Sequence, residues 1–309
     1  MAVSNREVGA LSHGIDLPEQ VYAGMSASCP KFDSKGVCVF AAGASSVSAQ
    51  FAVDVSERSG LLVTAVFDGC VPGWLGEGMD AVLISSPGCD QVMADAYDVL
   101  EGRGCRIHCI AFEGPLADIC RRNGGHLVPI PSEYMRQGAA GFAIGALSRL
   151  LESVGFSYMR ESLERALPCV KEYRDSLLES GIVVEISDRL RGKVPAVYSP
   201  IAASAAARRW KHSFGDVSFY GEMTEFNHNE IVGWADPNDH APEMELVVLR
   251  MGTGIPQLEY AMDCMTEVLQ EYGRGMTVVR FDDEDPVVSE LKAMVLGDAV
   301  SARIRGSAA

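Results

Sequence analysis

The chain has 309 residues, of which 48% are hydrophobic, so it can bury a substantial core and is too apolar to be a disordered protein. At about 100–200 residues per domain, this length predicts two domains or one large α/β unit. The formal net charge of −16 excludes partners that require a basic surface, such as nucleic acid or a membrane of anionic lipid.

The apolar runs have the length of buried strands, since none reaches the ~18 residues that a membrane-spanning helix needs. The first residues lack a basic region followed by an apolar stretch, which predicts that the protein has no signal peptide. The nine cysteines form no CxxC pair and no cluster with histidine at metal-ligand spacing. We therefore expect a cytoplasmic protein whose reduced thiols mainly serve packing, with neither a metal nor another cofactor.

The first half of the sequence alternates between strand-like and helix-like segments. The predicted strands are residues 37–42, 61–67, 80–85, 105–112 and 126–130. The predicted helices are residues 45–57, 90–101, 115–122 and 138–153. Such alternation predicts a parallel, doubly wound sheet, in which ligands bind at the carboxyl ends of the strands.

A charged amphipathic segment, residues 158–179, follows and predicts a connecting or bundle helix, with Pro168 as a point at which it can bend. A second alternating series comes next, with predicted strands at 194–198, 243–251 and 276–281 and predicted helices at 202–213, 256–272 and 286–304. This series repeats the first at an offset of about 160 residues, which predicts a duplicated domain. We place the first domain at residues 1–155 and the second at 156–309.

The loop after the first predicted strand, Ala41–Ser46, is small, hydroxylated and opens a helix. Free N–H groups at a helix N-terminus bind anions, and serine hydroxyls add further donors. A structural interpretation is equally available, because Ser45 or Ser46 also serves as an ordinary helix cap. The loop after the third strand, Ser85–Asp90, lines the same crevice in this fold, although a carboxylate at Asp90 repels an anion.

The densest polar cluster is residues 222–234, where one histidine stands between two asparagines. Imidazole titrates near neutral pH, so His228 can move protons to and from oxygen while the asparagines orient it. Helix capping accounts for Asn227 and Glu230, but it leaves His228 and Asn229 unexplained. The cluster therefore indicates a catalytic role more strongly than a structural one.

Two motifs carry a family resemblance, Arg208-Arg209-Trp210-Lys211 and the run EFNHNEIVGW at residues 225–234. The second matches eight of the nine fixed letters of the E-L-N-H-N-E-I-x-G-W signature of bifunctional phosphoglucose/phosphomannose isomerases, with Phe226 replacing leucine. The run VLGDAVS at residues 295–301 resembles a late helix of the same family. The resemblance extends over nearly the whole chain and implies two tandem SIS domains of the flavodoxin-like α/β class. Each would be a three-layer αβα domain with a mostly parallel sheet.

The resemblance also implies roles for single residues and a sugar or sugar phosphate as the ligand. His228 would open the sugar ring, and Asp216 stands where the family has the glutamate that moves a proton between C1 and C2. In the implied homodimer this histidine reaches the neighbouring subunit's site. The implied substrate or phosphate contacts are Gly43, Ser45, Ser46, Ser85, Ser86, Gly88, Asp90 and Arg136, and the residues supporting the histidine are Glu225, Asn227, Asn229 and Glu230.

The sequence departs from the family at its base and its phosphate site. Asp216 is one methylene shorter than glutamate, Pro87 lacks a hydroxyl and an N–H, and Asp90 is acidic where the family has threonine. The family's terminal segment, which carries a threonine and a lysine of the site, has no counterpart before Ala309.

Two hypotheses of function follow from these features. The first is an aldose–ketose isomerase that acts on a phosphorylated hexose. The second is a non-catalytic SIS-fold protein with a degenerate phosphate site, which binds a sugar derivative or regulates or scaffolds a sugar pathway. A nicotinamide-dependent dehydrogenase is set aside because no GxGxxG motif accompanies Asp68, the acid that would suit a ribose.

Overall fold

The computed structural model describes residues 16–31, 34, 36–56, 62–85, 90–135, 138–177, 180–215, 219–223, 244–252, 256–271 and 276–307. The described residues divide into two compact units, 16–167 and 168–307, and the division falls at Pro168. The predicted domain limits, residues 1–155 and 156–309, stay a prediction.

The first unit is built on a five-stranded parallel sheet. Its strands are β1 (Val37–Ala41), β2 (Val63–Val66), β3 (Asp80–Ile84), β4 (Arg106–Ala111) and β5 (His126–Pro129). Its helices are α1 (Leu17–Met25), α2 (Ser46–Ser56), α3 (Asp90–Gly102), α4 (Pro115–Arg122) and α5 (Ala140–Ser153), with 3-10 turns at Gly43–Ser45 and Ser132–Met135. All five strands are parallel, in the order β2-β1-β3-β4-β5. The chain adds β2 on one side of β1 and β3 on the other, so the topological switch point of this doubly wound sheet lies between β1 and β3.

Helix α6 (Tyr158–Leu177) runs through Pro168 as one helix and leads into the second unit. That unit has strands β6 (Val194–Pro200), β7 (Phe219–Met223), β8 (Met244–Met251) and β9 (Met276–Phe281). Its helices are α7 (Gly181–Leu190), α8 (Ser204–Phe214), α9 (Pro256–Glu271) and α10 (Pro286–Ser307), with a 3-10 turn at Ile201–Ala203. The parallel order β7-β6-β8-β9 repeats the first four strands of the other sheet, so the predicted duplication into two parallel sheets is confirmed.

Each sheet buries both of its faces under helices. In the first unit Cys38 and Phe40 pack with α3 and α4, and Val39 between them faces the opposite side. Helices α1, α2 and α5 pack together in a separate layer. In the second unit Tyr198 and Val248 pack against α9, whereas α7 and α8 pack on α10. Both units are therefore three-layer αβα domains, as predicted.

Helices α1 and α7, strand β7 and the 3-10 turn at 132–135 were not predicted from the sequence. Helix α1 approaches α5 so closely that glycine is required at the contact. A Cβ added to Gly145 would lie 2.1 Å from the Val21 carbonyl oxygen, and one added to Gly24 would lie 2.1 Å from that of Phe142. The local signal for α1 is weak, apart from Pro18 in its first turn.

The cysteines divide between core and surface. Cys38, Cys109 and Cys120 are buried, and desolvation raises the pKa of Cys38 to about 12. Cys70 and Cys169 are exposed, so packing does not account for these two. Within the described ranges, every helix is too short or too polar to cross a membrane. The same ranges contain no group of three histidine, cysteine or acidic side chains that could hold a metal ion.

Candidate functional site

The switch point of the first sheet brings two predicted loops to one edge. After β1 the chain passes through the turn Gly43–Ser45 directly into α2. Gly43 has a φ of 61°, a left-handed conformation that favours glycine. Beside this turn, Ser85 follows β3, and its N–H extends the sheet by donating to the Ile110 carbonyl at 2.9 Å. The carboxyl edge of the sheet therefore brings the turn Gly43–Ser45 next to Ser85.

The serine hydroxyls of this edge are buried and bonded within the protein. The Ser45 hydroxyl donates to the Ala42 carbonyl at 2.8 Å and lies 3.4 Å from the Ile84 carbonyl. Ser45, Ser46 and Ser85 are all at least 95% buried. A hydroxyl carries one proton, so Ser45 must turn its O–H away from the backbone before it can donate to an anion. Among the described residues, the Ser45 hydroxyl is thus bonded to the backbone.

A cavity of about 20 Å³ opens on these hydroxyls. Its lining consists of Ala44, Ser45, Ile84, Ser85, Phe112, Ile130, Gly138, Ala139, Ala140 and Ala143. This volume holds about one water molecule, and a hexose phosphate needs the crevice to widen. All of the lining residues are uncharged, so among them only dipoles and hydroxyls can meet an anion. Sequence reasoning missed Phe112 and Ile130, although each ends a predicted strand at the edge where ligands bind.

The structure places part of the predicted site. Gly43, Ser45, Ser46 and Ser85 meet at the carboxyl edge of the first sheet. Asp90 is the first residue of α3. The other predicted site residues lie outside the described residues: Ser86, Gly88, Arg136, Asp216, Glu225, Asn227, His228, Asn229 and Glu230.

In the second unit, two of the family motifs meet in one buried network. Arg209 of α8 forms a bidentate ion pair with Asp298 of α10, in which Nε donates to Oδ1 at 2.9 Å and Nη2 donates to Oδ2 at 2.9 Å. Ser213 donates its hydroxyl to the same carboxylate at 2.6 Å. Arg209 is 7% exposed and Asp298 is 4% exposed, so this ion pair is removed from water with its hydrogen bonds satisfied.

The indole of Trp210 completes this network. It is fully buried, and its Nε1 donates to the Ala293 carbonyl at 2.8 Å. A Cβ on Gly297 would lie 2.7 Å from the indole ring, so the glycine of the late helix motif makes room for the tryptophan. Ser301 and Arg305 both donate to the Ser213 carbonyl. In the described part of the chain, these motifs therefore hold the end of α8 against α10, a contact that sequence reasoning missed.

Two duplicated parallel sheets of flavodoxin-like strand order, with a hydroxyl-lined crevice at the switch point of the first, define a doubly wound α/β protein of two units. Comparison with known proteins refines this class. Residues 183–305 match the family model of the bacterial phospho-glucose isomerase C-terminal SIS domain. The resemblance predicted from the motifs is confirmed, because two curated proteins named bifunctional phosphoglucose/phosphomannose isomerase are similar to most of the chain.

Two curated relatives support this assignment over most of the chain. The bifunctional phosphoglucose/phosphomannose isomerase of Aquifex aeolicus is 24% identical over 273 residues, covering 86% of this chain and 83% of that protein. The enzyme of the same name from Caldicellulosiruptor bescii is 21% identical over 304 residues, covering 93% of this chain and 90% of that protein.

Solved structures confirm the predicted fold class. Tagatose-6-phosphate ketose/aldose isomerase from Escherichia coli superposes with a TM-score of 0.62 at 13% identity, covering 100% of this chain and 95% of that one. The C-terminal domain of glucosamine-fructose-6-phosphate aminotransferase from Francisella tularensis superposes with a TM-score of 0.66 at 12% identity, covering 97% and 95%. At such identities the likeness concerns the fold alone.

Proposed function

We propose that the protein is a sugar-phosphate isomerase that interconverts a phosphorylated aldohexose and its ketose, with glucose 6-phosphate and mannose 6-phosphate as the first substrates to test. The observation that carries the proposal is the crevice at the switch point, which Ser45 and Ser85 both line. Two relatives named bifunctional phosphoglucose/phosphomannose isomerase support it. Hydroxyls and the N–H groups at a helix N-terminus can donate hydrogen bonds to the oxygens of a phosphate. Arg136 is the proposed cation for this group.

In the proposed reaction, the Asp216 carboxylate removes the proton from C2 of the open aldose and returns it to C1, while a second proton passes from the hydroxyl on C2 to the oxygen on C1, which yields the ketose. His228 first opens the ring by moving a proton between the ring oxygen and the hemiacetal hydroxyl. Glu225, Asn227 and Asn229 orient the imidazole. One proton moves between neighbouring carbons, one moves between their oxygens, and no net oxidation occurs, so the reaction balances without an external oxidant or reductant.

The test is turnover of both hexose phosphates by the pure protein. We expect Asp216→Asn to abolish isomerisation, and His228→Ala to lower it by about 10²–10⁴-fold, because ring opening also proceeds slowly in water. Asp216→Glu restores one methylene and is expected to raise the rate, since ~1 Å in the position of a base is worth up to about 10²-fold. Asp188→Asn, an exposed acid on α7, is the matched control. Asn and Glu variants at position 216 that both match the wild type would remove the proposed base.

We further propose a cytoplasmic homodimer in which His228 serves the partner's site. Mixing tests this arrangement directly, because Asp216→Asn and His228→Ala subunits are each inactive or nearly so in their own homodimers. In a mixed dimer one of the two sites has both groups, so activity returns on mixing. If mixed subunits regain no activity while sedimentation shows dimers, each histidine serves its own subunit.

A sugar-binding protein without turnover is the second candidate, and the relatives favour the isomerase over it. The specific observation in its favour is the Ser45 hydroxyl, which donates to the Ala42 carbonyl of the backbone. We expect Pro87→Ser combined with Asp90→Thr to tighten sugar-phosphate binding, because the change restores a donor and removes a negative charge. Binding measured by thermal shift, together with no detectable turnover in the wild type, would favour this second candidate.

A further inference from the structure

A second polar pocket lies at the amino edge of the first sheet, opposite the crevice. Strands β3, β4 and β5 are parallel, so their first residues share this edge. The pocket has a volume of about 420 Å³, within the ~300–1,000 Å³ typical of small-molecule sites. Its lining includes Lys31, Arg106, His108, Asn123 and His126.

A chain of hydrogen bonds runs from the sheet to the pocket wall. His108 Nε2 lies 2.9 Å from the Asp80 carboxylate, and His108 Nδ1 lies 3.4 Å from His126 Nδ1. His126 Nε2 lies 3.1 Å from the Ser28 carbonyl oxygen. Arg106 also donates to the Asp80 carboxylate, from Nε to Oδ1 at 2.6 Å and from Nη2 to Oδ2 at 3.0 Å. Asp80 is fully buried and His108 is 2% exposed, so the inner half of this chain is shielded from water.

Counting protons shows that this chain carries a charge when all of its links are made. Both ends, the Asp80 carboxylate and the Ser28 carbonyl, are acceptors, so the three links need three N–H groups. Two neutral imidazoles supply only two. The complete chain therefore holds one extra proton on the His108–His126 pair. Since Arg106 already matches the charge of Asp80, the extra positive charge is available to the pocket.

The other charged groups around the pocket are cations and one acid. Lys31 comes from the segment before β1, and Arg106 is 42% exposed beyond its contact with Asp80. Asn123 donates its amide to Glu101 of α3 at 2.8 Å, which places one exposed acid at the rim. Burial raises the pKa of Cys29 to about 11, so this neighbouring thiol is neutral. Lys31 and Glu101 therefore offset each other, and the net positive charge of the pocket is that of the extra proton on the His108–His126 pair.

We propose that this pocket binds a small divalent oxyanion, and that it binds more tightly when the His108–His126 pair holds its extra proton. Desolvation lowers the pKa of His126, and the neighbouring His108 adds to this, although the hydrogen bond to the Ser28 carbonyl acts in the opposite direction. The bound anion and the proton therefore stabilise each other, and each raises the affinity of the site for the other.

Sulfate is the probe of choice, because it stays divalent from pH 5 to pH 8 whereas phosphate does not. Histidine side-chain NMR can follow this pocket separately from other sites. The signals of His108 and His126 are those that disappear in His108→Gln and in His126→Gln. We expect sulfate to shift the His126 signals with half-saturation at about tenfold lower concentration at pH 5.5 than at pH 8. Sodium chloride at equal ionic strength should leave them in place. Equal half-saturation at the two pH values would overturn the proposal.

Charge variants separate a specific site from general attraction. Lys31→Gln should weaken sulfate binding by about fivefold, whereas Lys171→Gln, the same charge change on the exposed face of α6, should leave it unchanged. Ser45→Ala should not alter the His126 response, which separates this pocket from the crevice. Stronger displacement of sulfate by inorganic phosphate than by glucose 6-phosphate identifies a free ion as the ligand, and the reverse order identifies a phosphate ester. Lys31→Gln and Lys171→Gln with equal affinities would contradict the proposal.

Discussion

The two units share one backbone design and use it differently. In each, the first strand leads through a 3-10 turn into a helix, at Gly43–Ser45 in the first unit and at Ile201–Ala203 in the second. The first turn carries Ser45 at its end, beside a small cavity, whereas the second ends in the methyl group of Ala203. A repeated topology therefore supplies the position of a site, and the side chains at the turn decide whether that position has binding chemistry.

The interiors of the two units also differ in what holds their helices together. Helices α1 and α5 of the first unit meet through glycines, with backbone against backbone. Helices α8 and α10 of the second unit meet through the buried pair of Arg209 and Asp298 and through the indole of Trp210. Close approach depends on shape alone, whereas the ion pair depends on both partners being present. Variants in each unit can test this difference.

The largest effect is expected from Asp298→Ala in the second unit. The change leaves the guanidinium of Arg209 buried without its carboxylate, and it should lower the free energy of unfolding by about 3–5 kcal/mol. Urea unfolding followed by circular dichroism measures the loss. Asp188→Ala is the control, since this exposed acid pairs with Arg191 at the surface and should cost less than about 1 kcal/mol. Equal losses in the two variants would show that the buried pair is not what holds α8.

Gly145→Ala should disturb the first unit by a different mechanism. Its Cβ would lie 2.1 Å from the Val21 carbonyl oxygen, which is part of the backbone and cannot rotate away as a side chain can. Helices α1 and α5 must therefore separate, which should lower the free energy of unfolding by about 2–3 kcal/mol. Gly102→Ala, with no atom near its added Cβ, should be neutral or stabilising by up to about 1 kcal/mol. The midpoints of urea unfolding compare the two. A neutral Gly145→Ala would mean that α1 contributes little to the first unit.

Acid should weaken the first unit through Asp80. Although burial by itself would raise the pKa of this carboxyl, hydrogen bonds from His108 and Arg106 lower it to about 2. The ionised form is therefore favoured in the folded protein, and the contribution is present above about pH 4 and lost as the pH falls towards 2. Its size is about 2 kcal/mol. Unfolding free energies between pH 4.5 and pH 2 should fall less steeply in Asp80→Asn than in the wild type, and unchanged steepness would contradict this role.

The smallest effect on stability is expected from Ser45→Ala, at about 1 kcal/mol or less. Its effect should fall on binding instead, with glucose 6-phosphate affinity weaker by about tenfold because a charge-assisted donor is lost. Ser56→Ala is the control, because this hydroxyl also donates to a backbone carbonyl of α2, that of Val53, away from the crevice. Calorimetric titration compares the two. Equal affinities in both variants would place the phosphate elsewhere.

The sequence by itself determined the elements whose hydrophobic pattern is local. Buried strands such as β1 and β8 appear as short apolar runs, and strand–helix alternation at a constant offset predicts two parallel sheets. Motif spacing also identified the loops at Ser45 and Ser85. Helix α1 was not predicted from the sequence, because a helix of nine residues is only marginally stable alone and is stabilised by packing on α5.

Only the tertiary structure decided which distant side chains meet. Arg209 and Asp298 stand 89 residues apart, and nothing local in either helix indicates the other. At the amino edge of the first sheet, strand register places Asp80 opposite Arg106 and His108 opposite His126. A shift of one residue would turn these side chains to the other face of the sheet and break the chain of hydrogen bonds. Composition and periodicity contain no information about such register, because it is set by the packing of all five strands together.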